Sequence, residues 1–264
     1  MSSKRFLNIN LAMRFDDKLL RPDRHRRDKM APIRDLWDRW SSRLPKMFNP
    51  GRDICIVEQL VPFRGRCSFR QYMPSKPGKY GLKIWALCDA QTSYAWRLQV
   101  YLGKSASAPH ERNQGMHVVL ELTDELEGHT VTKDNFFTSL PLAEELQKRR
   151  MALVGTLKSN KPELPHQLFN TKRREVLSSV FALMYNKTTV SYVPKKRKNV
   201  LLLSTRHREP EVQESRKKKP QIILDYNRCK GAVDHLDQVI TNHIFILLTG
   251  IYLQLLITYC CVIK

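Results

Sequence analysis

The clearest pattern of apolar positions is the stretch from Ile54 to Val61, where β-branched and other apolar residues dominate. An Asn-Pro-Gly sequence at 49–51 precedes this stretch, and Pro62 follows it. A short apolar run between turn-forming residues is typical of a strand inside a sheet. The pattern therefore predicts a buried strand here.

Two more strands are predicted downstream. Lys83–Cys88 and Ala95–Tyr101 are rich in apolar, β-branched and aromatic residues, and the second segment alternates apolar with polar positions. Residues 89–93 join them as a hairpin. Asp89 is assigned to the turn, because aspartate side chains commonly bond the backbone of turns. Residues 116–126 then predict a helix.

A strand, a helix and another strand follow between residues 130 and 157. The first strand ends at Asp134, Ser139 is suited to cap the helix, and Met151–Leu157 forms the second strand. Two strands joined through a helix predict a parallel crossover.

The flanking regions carry weaker patterns. Residues 1–48 predict helices interrupted by a charged loop at 21–29, because apolar residues recur there at helical spacing. Beyond the crossover, the pattern predicts a β-hairpin over 180–193, strands at 199–204 and 221–226, and a helix that begins at Lys230.

Charge narrows the range of partners. The chain has 264 residues, of which 42% are hydrophobic, and this is enough for a core. Its formal net charge is +21 and its pI is near 9.9. Such an excess favours a polyanionic partner, DNA or RNA. The alternative is a basic protein that uses its charge for solvation or for contact with acidic membranes.

The six cysteines predict no zinc site. No Cys-x-x-Cys pair with a matching second pair is present, and structural zinc sites usually need such spacing. Several cysteines stand in strand-like apolar stretches, which is typical of reduced thiols in an intracellular protein.

The basic residues suited to contact phosphate lie near strand ends. Phe63 and Phe69 flank a basic turn that follows the first strand. Basic side chains position a protein on the phosphate backbone without reading the bases. The predicted nucleic-acid-binding residues are Arg64, Arg66, Arg70, Lys76, Lys79, Lys104, Lys158 and Lys161.

Three blocks of sequence resemble the signature of piggyBac transposases and their domesticated relatives. The first block is 57–67 followed by 72–81, the second is 134–139, and the third is 230–238. The blocks occur in the order of the family, and the resemblance extends over about residues 1–239. Three ordered blocks make the match specific.

The resemblance implies an α/β fold, a ribonuclease H-like mixed sheet flanked by helices. A β-rich insertion is expected over about 160–220. The implied regions are a helical N-terminal segment at 1–48 that corresponds to part of a dimerisation or DNA-binding region, a transposase domain at 49–239, and a divergent apolar C-terminal helix at 240–264.

The same resemblance implies a site for DNA cleavage with Mg²⁺. Asp134 would be the second metal ligand and Asp234 the third, with Asp237 as an essential acid nearby. Carboxylates suit this chemistry because hard divalent cations take oxygen ligands. Val57 stands where the family normally has its first metal-binding aspartate, and an isopropyl group cannot bind a metal.

These features predict a DNA-binding protein of piggyBac descent that is impaired as an enzyme. The first alternative is an active, Mg²⁺-dependent cut-and-paste transposase at TTAA sites, with Glu58 or Asp53 in place of the missing acid. Glu58 is a poor substitute, because successive side chains of a strand point to opposite faces. A DNA partner implies a nuclear location, and a homodimer is left open.

The C-terminal stretch allows another alternative. Residues 244–263 carry no charged side chain, and their length fits a membrane span. Alternatively, they are the apolar end of a degraded element that packs on the core. The second alternative for the chain is therefore a membrane-tethered or non-functional fragment, located at a membrane through 244–263.

Overall fold

The computed structural model describes residues 2, 4–5, 8, 16–17, 19–63, 67–76, 78–103, 113–159, 163–172, 174–232 and 235–236. In chain order, the α-helices and strands of these residues are α1 (Arg21–Arg27), α2 (Arg34–Ser41), α3 (Leu44–Met47), β1 (Asp53–Pro62), β2 (Gln71–Tyr72), β3 (Tyr80–Asp89), β4 (Ala95–Val100), α4 (Gln114–Leu122), β5 (Thr130–Lys133), α5 (Leu140–Lys148), β6 (Ala152–Thr156), β7 (Ser179–Met184), β8 (Lys187–Lys195), β9 (Lys198–Ser204) and α6 (Gln221–Cys229), and a short 3-10 helix at His166–Leu168 precedes β7.

The strands form one mixed sheet in the order β2-β3-β1-β5-β6-β9-β8-β7, and β4 pairs with β3. β1, β5 and β6 are parallel neighbours, whereas β3 runs antiparallel to β1 and β9 runs antiparallel to β6. The parallel strands lie in the middle of the sheet. Helices on both faces bury these strands, as parallel strands require.

The two faces of β1 bury different clusters. Ile54 and Ile56 belong to the main core with residues of α4 and α5. Cys55 packs on the opposite face with Ala86 and Ala232, the second of which follows α6 in the chain. This alternation is the expected consequence of the strand pleat. The face that carries Cys55 is therefore the one covered by α6, Ala232 and Leu236.

Several predictions are confirmed. The buried strand is β1, the hairpin strands are β3 and β4, and β5, α5 and β6 form the parallel crossover. The hydroxyl of Ser139 accepts a hydrogen bond from the Leu142 amide at the start of α5. The carboxylate of Asp89 accepts bonds from Gly51 and Thr92, so Asp89 organises the turn as expected.

Two predicted elements were wrong. Residues 21–27 form helix α1 instead of a charged loop, because Pro22 occupies its first turn, where its missing N–H costs nothing. Residues 221–226 belong to helix α6 instead of a strand. Ile222 and Ile223 are buried there, and so short an apolar run does not distinguish a strand from a buried helix face.

Within the described ranges, no helix has the length and apolar character needed to cross a membrane. Residues 244–263 lie outside those ranges, so the span remains a prediction from sequence alone. Strands β7, β8 and β9 fall within the β-rich region expected over 160–220.

Candidate functional site

Val57 and Asp134 occupy neighbouring positions on two parallel strands. The last paired residues of β1 and β5 are Ile56 and Lys133. The next residues are Val57, which lies inside β1, and Asp134, which directly follows β5, so the strand pairing brings these two positions together. The proximity of Val57 to Asp134 therefore follows from the parallel pairing of β1 with β5.

Val57 is half-buried in an apolar environment. It packs against the cluster of Cys55, Ala86 and Cys88, to which Ala232 also belongs. Residue 57 pairs across the sheet with Ala86. An apolar side chain in apolar surroundings is favourable, and a carboxylate at this position would need a metal or a hydrogen-bonding partner to offset its desolvation.

Asp134 lies in a tight turn that directly follows β5. Its Oδ1 accepts a hydrogen bond from the Phe136 amide at 2.9 Å, and its main-chain carbonyl accepts one from Thr138 Oγ1 at 2.7 Å. Burial raises the pKa of Asp134, and the charge of Glu58 adds to that rise, although hydrogen bonds from backbone amides oppose it. A cation bound near such a carboxyl group would favour its ionised form.

Glu58 is held on the face of the sheet opposite Val57. Its Oε2 lies 2.8 Å from Nζ of Lys83. Lys83 also lies over the rings of Trp85 and Phe136, with its Nζ 5.5 Å and 4.9 Å from their centroids. β1 pairs with β3 without a bulge, so Glu58 points to the face opposite Val57.

Asp53 is also engaged elsewhere. Its carboxylate lies 2.9 Å from Arg206 and 3.3 Å from Arg228. Val57 is four residue positions further along the extended strand, a distance of roughly 13 Å. Both proposed substitutes for the first acid are therefore bound to basic side chains at other positions.

A polar network that the sequence did not reveal anchors α6. Asp225 Oδ2 lies 2.9 Å from Nε2 of His207, and Nδ1 of His207 lies 2.8 Å from Ser204 Oγ. Arg228 joins α6 to Asp53 at the start of β1. These contacts orient the helix that leads into the third sequence block. Asp234 and Asp237 themselves lie outside the described residues.

Lys133 is a second feature that sequence analysis missed. Its side chain is only 1% exposed, and its ammonium nitrogen finds no hydrogen-bond partner among the described residues. Burial lowers the pKa of Lys133 well below its usual value, although the neighbouring Asp134 acts in the opposite direction. The only sequence signal was a lysine inside a β-branched stretch. The buried amine directly precedes the retained acid.

The described donors do not fit a two-carboxylate Mg²⁺ site. Position 57 offers no oxygen, and Asp134 is the one proposed ligand that lies within the described ranges. Within those ranges no group of three or more His, Cys, Asp or Glu residues is placed to hold a metal ion. Mg²⁺ requires several oxygen ligands in near-octahedral geometry.

The predicted phosphate-binding residues fall into two groups. Arg70 and Lys79 are exposed, Lys76 donates from Nζ to the Glu58 carbonyl at 3.0 Å, and Lys158 lines a surface cavity of about 420 Å³ with Asn135. The remaining predicted contacts lie outside the described residues, and these are Arg64, Arg66, Lys104 and Lys161.

Comparison with known proteins identifies relatives. A family model described as Transposase IS4 matches residues 1–257. The human "PiggyBac transposable element-derived protein 3" is 24% identical over 234 residues, which are 82% of this chain and 39% of that protein. The human "Chimeric ERCC6-PGBD3 protein" is also 24% identical over 234 residues, but those cover 22% of its length.

A solved structure extends the similarity to the fold. The chain in "Cryo-EM structure of piggyBac transposase synaptic complex with hairpin DNA (SNHP)" is 37% identical, with a TM-score of 0.86. The alignment covers 99% of this chain and 56% of that one. This similarity confirms the predicted ribonuclease H-like mixed sheet flanked by helices.

Proposed function

Because this chain belongs to the piggyBac family of transposases, we propose that it binds DNA without cutting it. The chain spans less than two thirds of the length of the relatives described above, so this activity is assigned to the region present here. The partner is the DNA phosphate backbone, and the nucleus is the proposed location. The reaction that is lost is cleavage and strand transfer at TTAA sites.

One observation carries the loss of cleavage. Val57, at the position where the family resemblance expects the first metal ligand, packs into an apolar cluster with Cys55 and Ala86. Two-metal catalysis uses carboxylates to hold ions that clamp the attacking and leaving oxygens. Each 1.4 kcal/mol of lost transition-state stabilisation costs about tenfold in rate. Loss of a shared ligand is therefore expected to lower cleavage by roughly a thousandfold or more.

DNA binding depends on basic residues that are not metal ligands, so it persists when a metal ligand is lost. The net charge of +21 favours a polyanion, and Arg70, Lys79 and Lys158 stand on the surface or in a surface cavity. A relative whose structure was solved in a synaptic complex with hairpin DNA supports the same partner. Binding through phosphates is expected to weaken steeply as salt rises.

An active enzyme is the second candidate, and one observation favours it. The charge of Glu58 contributes to the raised pKa of Asp134, so the two carboxylates lie within electrostatic reach. In this alternative, Glu58 leaves Lys83 and serves with Asp134 as a Mg²⁺ ligand. The 2.8 Å ion pair between Glu58 and Lys83 opposes that rearrangement.

A cleavage assay separates the two candidates. A labelled duplex that contains TTAA is incubated with protein and Mg²⁺, and strand breaks are counted by gel electrophoresis. We expect binding but no cleavage for the wild-type chain. Cleavage that disappears in both Asp134→Ala and Glu58→Gln would support the active enzyme. Absence of DNA binding in a folded preparation would contradict the main proposal.

A further inference from the structure

Two exposed tyrosines face each other on the hairpin formed by β2 and β3. Tyr72 and Tyr80 are paired across the strands, and their ring centroids are 4.7 Å apart at an interplanar angle of 38°. Tyr72 is 56% exposed and Tyr80 is 49% exposed. Large apolar rings are usually more deeply buried, so an open aromatic pair is an informative surface feature.

Basic side chains surround this pair. The guanidinium of Arg70 lies over the ring of Tyr80, with its carbon 5.2 Å from the centroid. Lys79 precedes Tyr80 and is exposed. A cation over an aromatic face within about 6 Å is a stabilising contact that also orients both groups. Aromatic surface and positive charge therefore occur together.

The hairpin is fixed next to the candidate site. Lys76, in the turn between β2 and β3, donates from Nζ to the main-chain carbonyl of Glu58 at 3.0 Å. Glu58 directly follows Val57 in β1. β3 continues from Tyr80 through the full pairing with β1. The aromatic pair is therefore carried on the sheet that also holds Val57, and not on an independent loop.

We propose that Tyr72 and Tyr80 form a stacking platform for unpaired DNA bases, with Arg70 and Lys79 bound to the adjoining phosphates. This inference rests on the proposed function, because it specifies which form of DNA the surface takes. Duplex DNA keeps its base faces stacked inside and presents only edges and phosphates. A single strand exposes both base faces and phosphates, and aromatic rings combined with basic side chains match those two features.

A purely structural role for the tyrosine pair makes a different prediction. Cross-strand aromatic pairs stabilise hairpins. In that case, removal of a ring would disturb the nearby cations and weaken binding to single-stranded and duplex DNA alike. If the rings stack on bases, removal of a ring would weaken binding to single-stranded DNA alone. The ratio of the two affinities therefore separates the roles, even if a variant loses some stability.

The test measures binding of the full chain to a fluorescein-labelled single strand of about 12 nucleotides and to the matching duplex, by fluorescence anisotropy. For Tyr72→Ala and Tyr80→Ala we expect at least a tenfold loss for the single strand and less than a twofold loss for the duplex. Tyr72→Phe keeps the ring and is expected to retain single-strand affinity. Arg70→Gln and Lys79→Gln are expected to weaken binding to both probes and to reduce the salt dependence of the affinity.

Tyr185→Ala is the matched control, because Tyr185 is fully exposed at the turn between β7 and β8, far along the sheet order. It should leave both affinities unchanged. Equal losses for the two probes in the Tyr72→Ala and Tyr80→Ala variants, or no loss, would overturn the stacking platform. Failure of the wild-type protein to bind either probe would instead overturn the proposed function, so the two failures can be distinguished.

Discussion

Glu58 and Lys83 form an ion pair across β1 and β3, with 2.8 Å between Oε2 and Nζ. The pair occupies the face of the sheet opposite Val57, because successive residues of β1 point to opposite sides. The acid closest in sequence to Val57 is thus bound to a lysine on the other face.

The first expectation concerns the ligand position itself. Val57→Asp introduces a carboxylate among Cys55, Ala86 and Cys88. We expect the free energy of unfolding without metal to fall by about 1–3 kcal/mol, because the charge is desolvated without a partner. Added Mg²⁺ is expected to recover part of this loss, because a cation would then bridge residue 57 and Asp134. Differential scanning fluorimetry with and without Mg²⁺ measures both effects.

Val61→Asp is the control for this experiment. Val61 lies on the same face of β1 but in a different apolar cluster. The Val61→Asp variant should have a lower free energy of unfolding, and Mg²⁺ should not restore it. A Mg²⁺-dependent rise in the melting temperature of the wild-type protein would show that residue 57 is not needed for metal binding.

The second expectation concerns Lys133. Lys133→Met should raise the free energy of unfolding by about 1–3 kcal/mol, because it removes a buried donor that has no partner among the described residues. The lysine pKa is lowered in the folded state, so the unfolded chain binds more protons. Wild-type stability should therefore fall as the pH drops from the usual lysine pKa of 10.5 towards the lowered value.

Denaturant unfolding of both proteins over that pH range tests this slope. The slope should be smaller in Lys133→Met. Lys83→Met is the contrasting variant, and it should destabilise the protein because Lys83 pairs with Glu58. A loss of stability in Lys133→Met would mean that the ammonium has a stabilising role.

The third expectation concerns Asp134. Its pKa is raised by burial and by Glu58, so the folded state binds the proton more tightly than the unfolded state. Stability is then greatest below the unfolded pKa of 3.8 and is lost as the pH rises through the higher folded value. Asp134→Asn should therefore be more stable than the wild type at neutral pH. The difference should vanish in acid.

Asp89→Asn should behave in the opposite way. Burial alone would raise the pKa of Asp89, but bonds from Thr92 and Gly51 lower it overall. Its ionised form contributes stability above pH 3.8, and this contribution is lost as the pH falls through the lowered value. Thermal unfolding of the two variants at several pH values measures both signs. Destabilisation of Asp134→Asn at neutral pH would count against the raised pKa.

The fourth expectation concerns DNA binding. Lys158→Gln should weaken duplex affinity and lower the slope of log affinity against log salt by about one unit, because one phosphate contact is lost. Lys148→Gln is the control, since Lys148 lies on α5 and pairs with Glu145 at 2.6 Å. Anisotropy titrations at several salt concentrations give both slopes. Equal slopes in the two variants would show that Lys158 does not contact the DNA phosphates.

The fifth expectation concerns Gly155 in β6. A Cβ at this position would collide with Oγ1 of Thr138 and lie 3.0 Å from the Lys133 carbonyl oxygen. Gly155→Ala should cost about 1–3 kcal/mol of stability, because overpacking displaces the turn that holds Asp134. Gly231→Ala is the control, since a Cβ there meets nothing within 4 Å among the described residues. Chemical denaturation compares them, and a neutral Gly155→Ala would show that Thr138 moves freely.

Local patterns predicted much of the fold. The strand at Ile54, the capped helix after Ser139 and the turn at Asp89 each follow from residues close together in the sequence. Residues 221–226 were predicted incorrectly as a strand. Two adjacent isoleucines fit either a buried strand or the buried face of a helix, and only packing against β1, β6 and β9 decides between them.

The candidate site divides in the same way. Val57 and Asp134 were proposed as site positions from short motifs, and the pairing of β1 with β5 places the two positions next to each other. The burial of Lys133 and the contact between Asp225 and His207 could not be predicted from the local sequence. Both depend on segments that meet only after the chain folds.

By itself, the sequence determined the periodicity of the elements, the positive charge and the family to which the chain belongs, because these depend on residue identity and short-range spacing. Only the tertiary structure decided that Val57 sits in apolar packing, that Glu58 is bound by Lys83, and that Tyr72 and Tyr80 remain open to solvent. The physical reason is that the surroundings of a side chain are set by sheet pairing and helix packing between distant segments, and these contacts have no local signature.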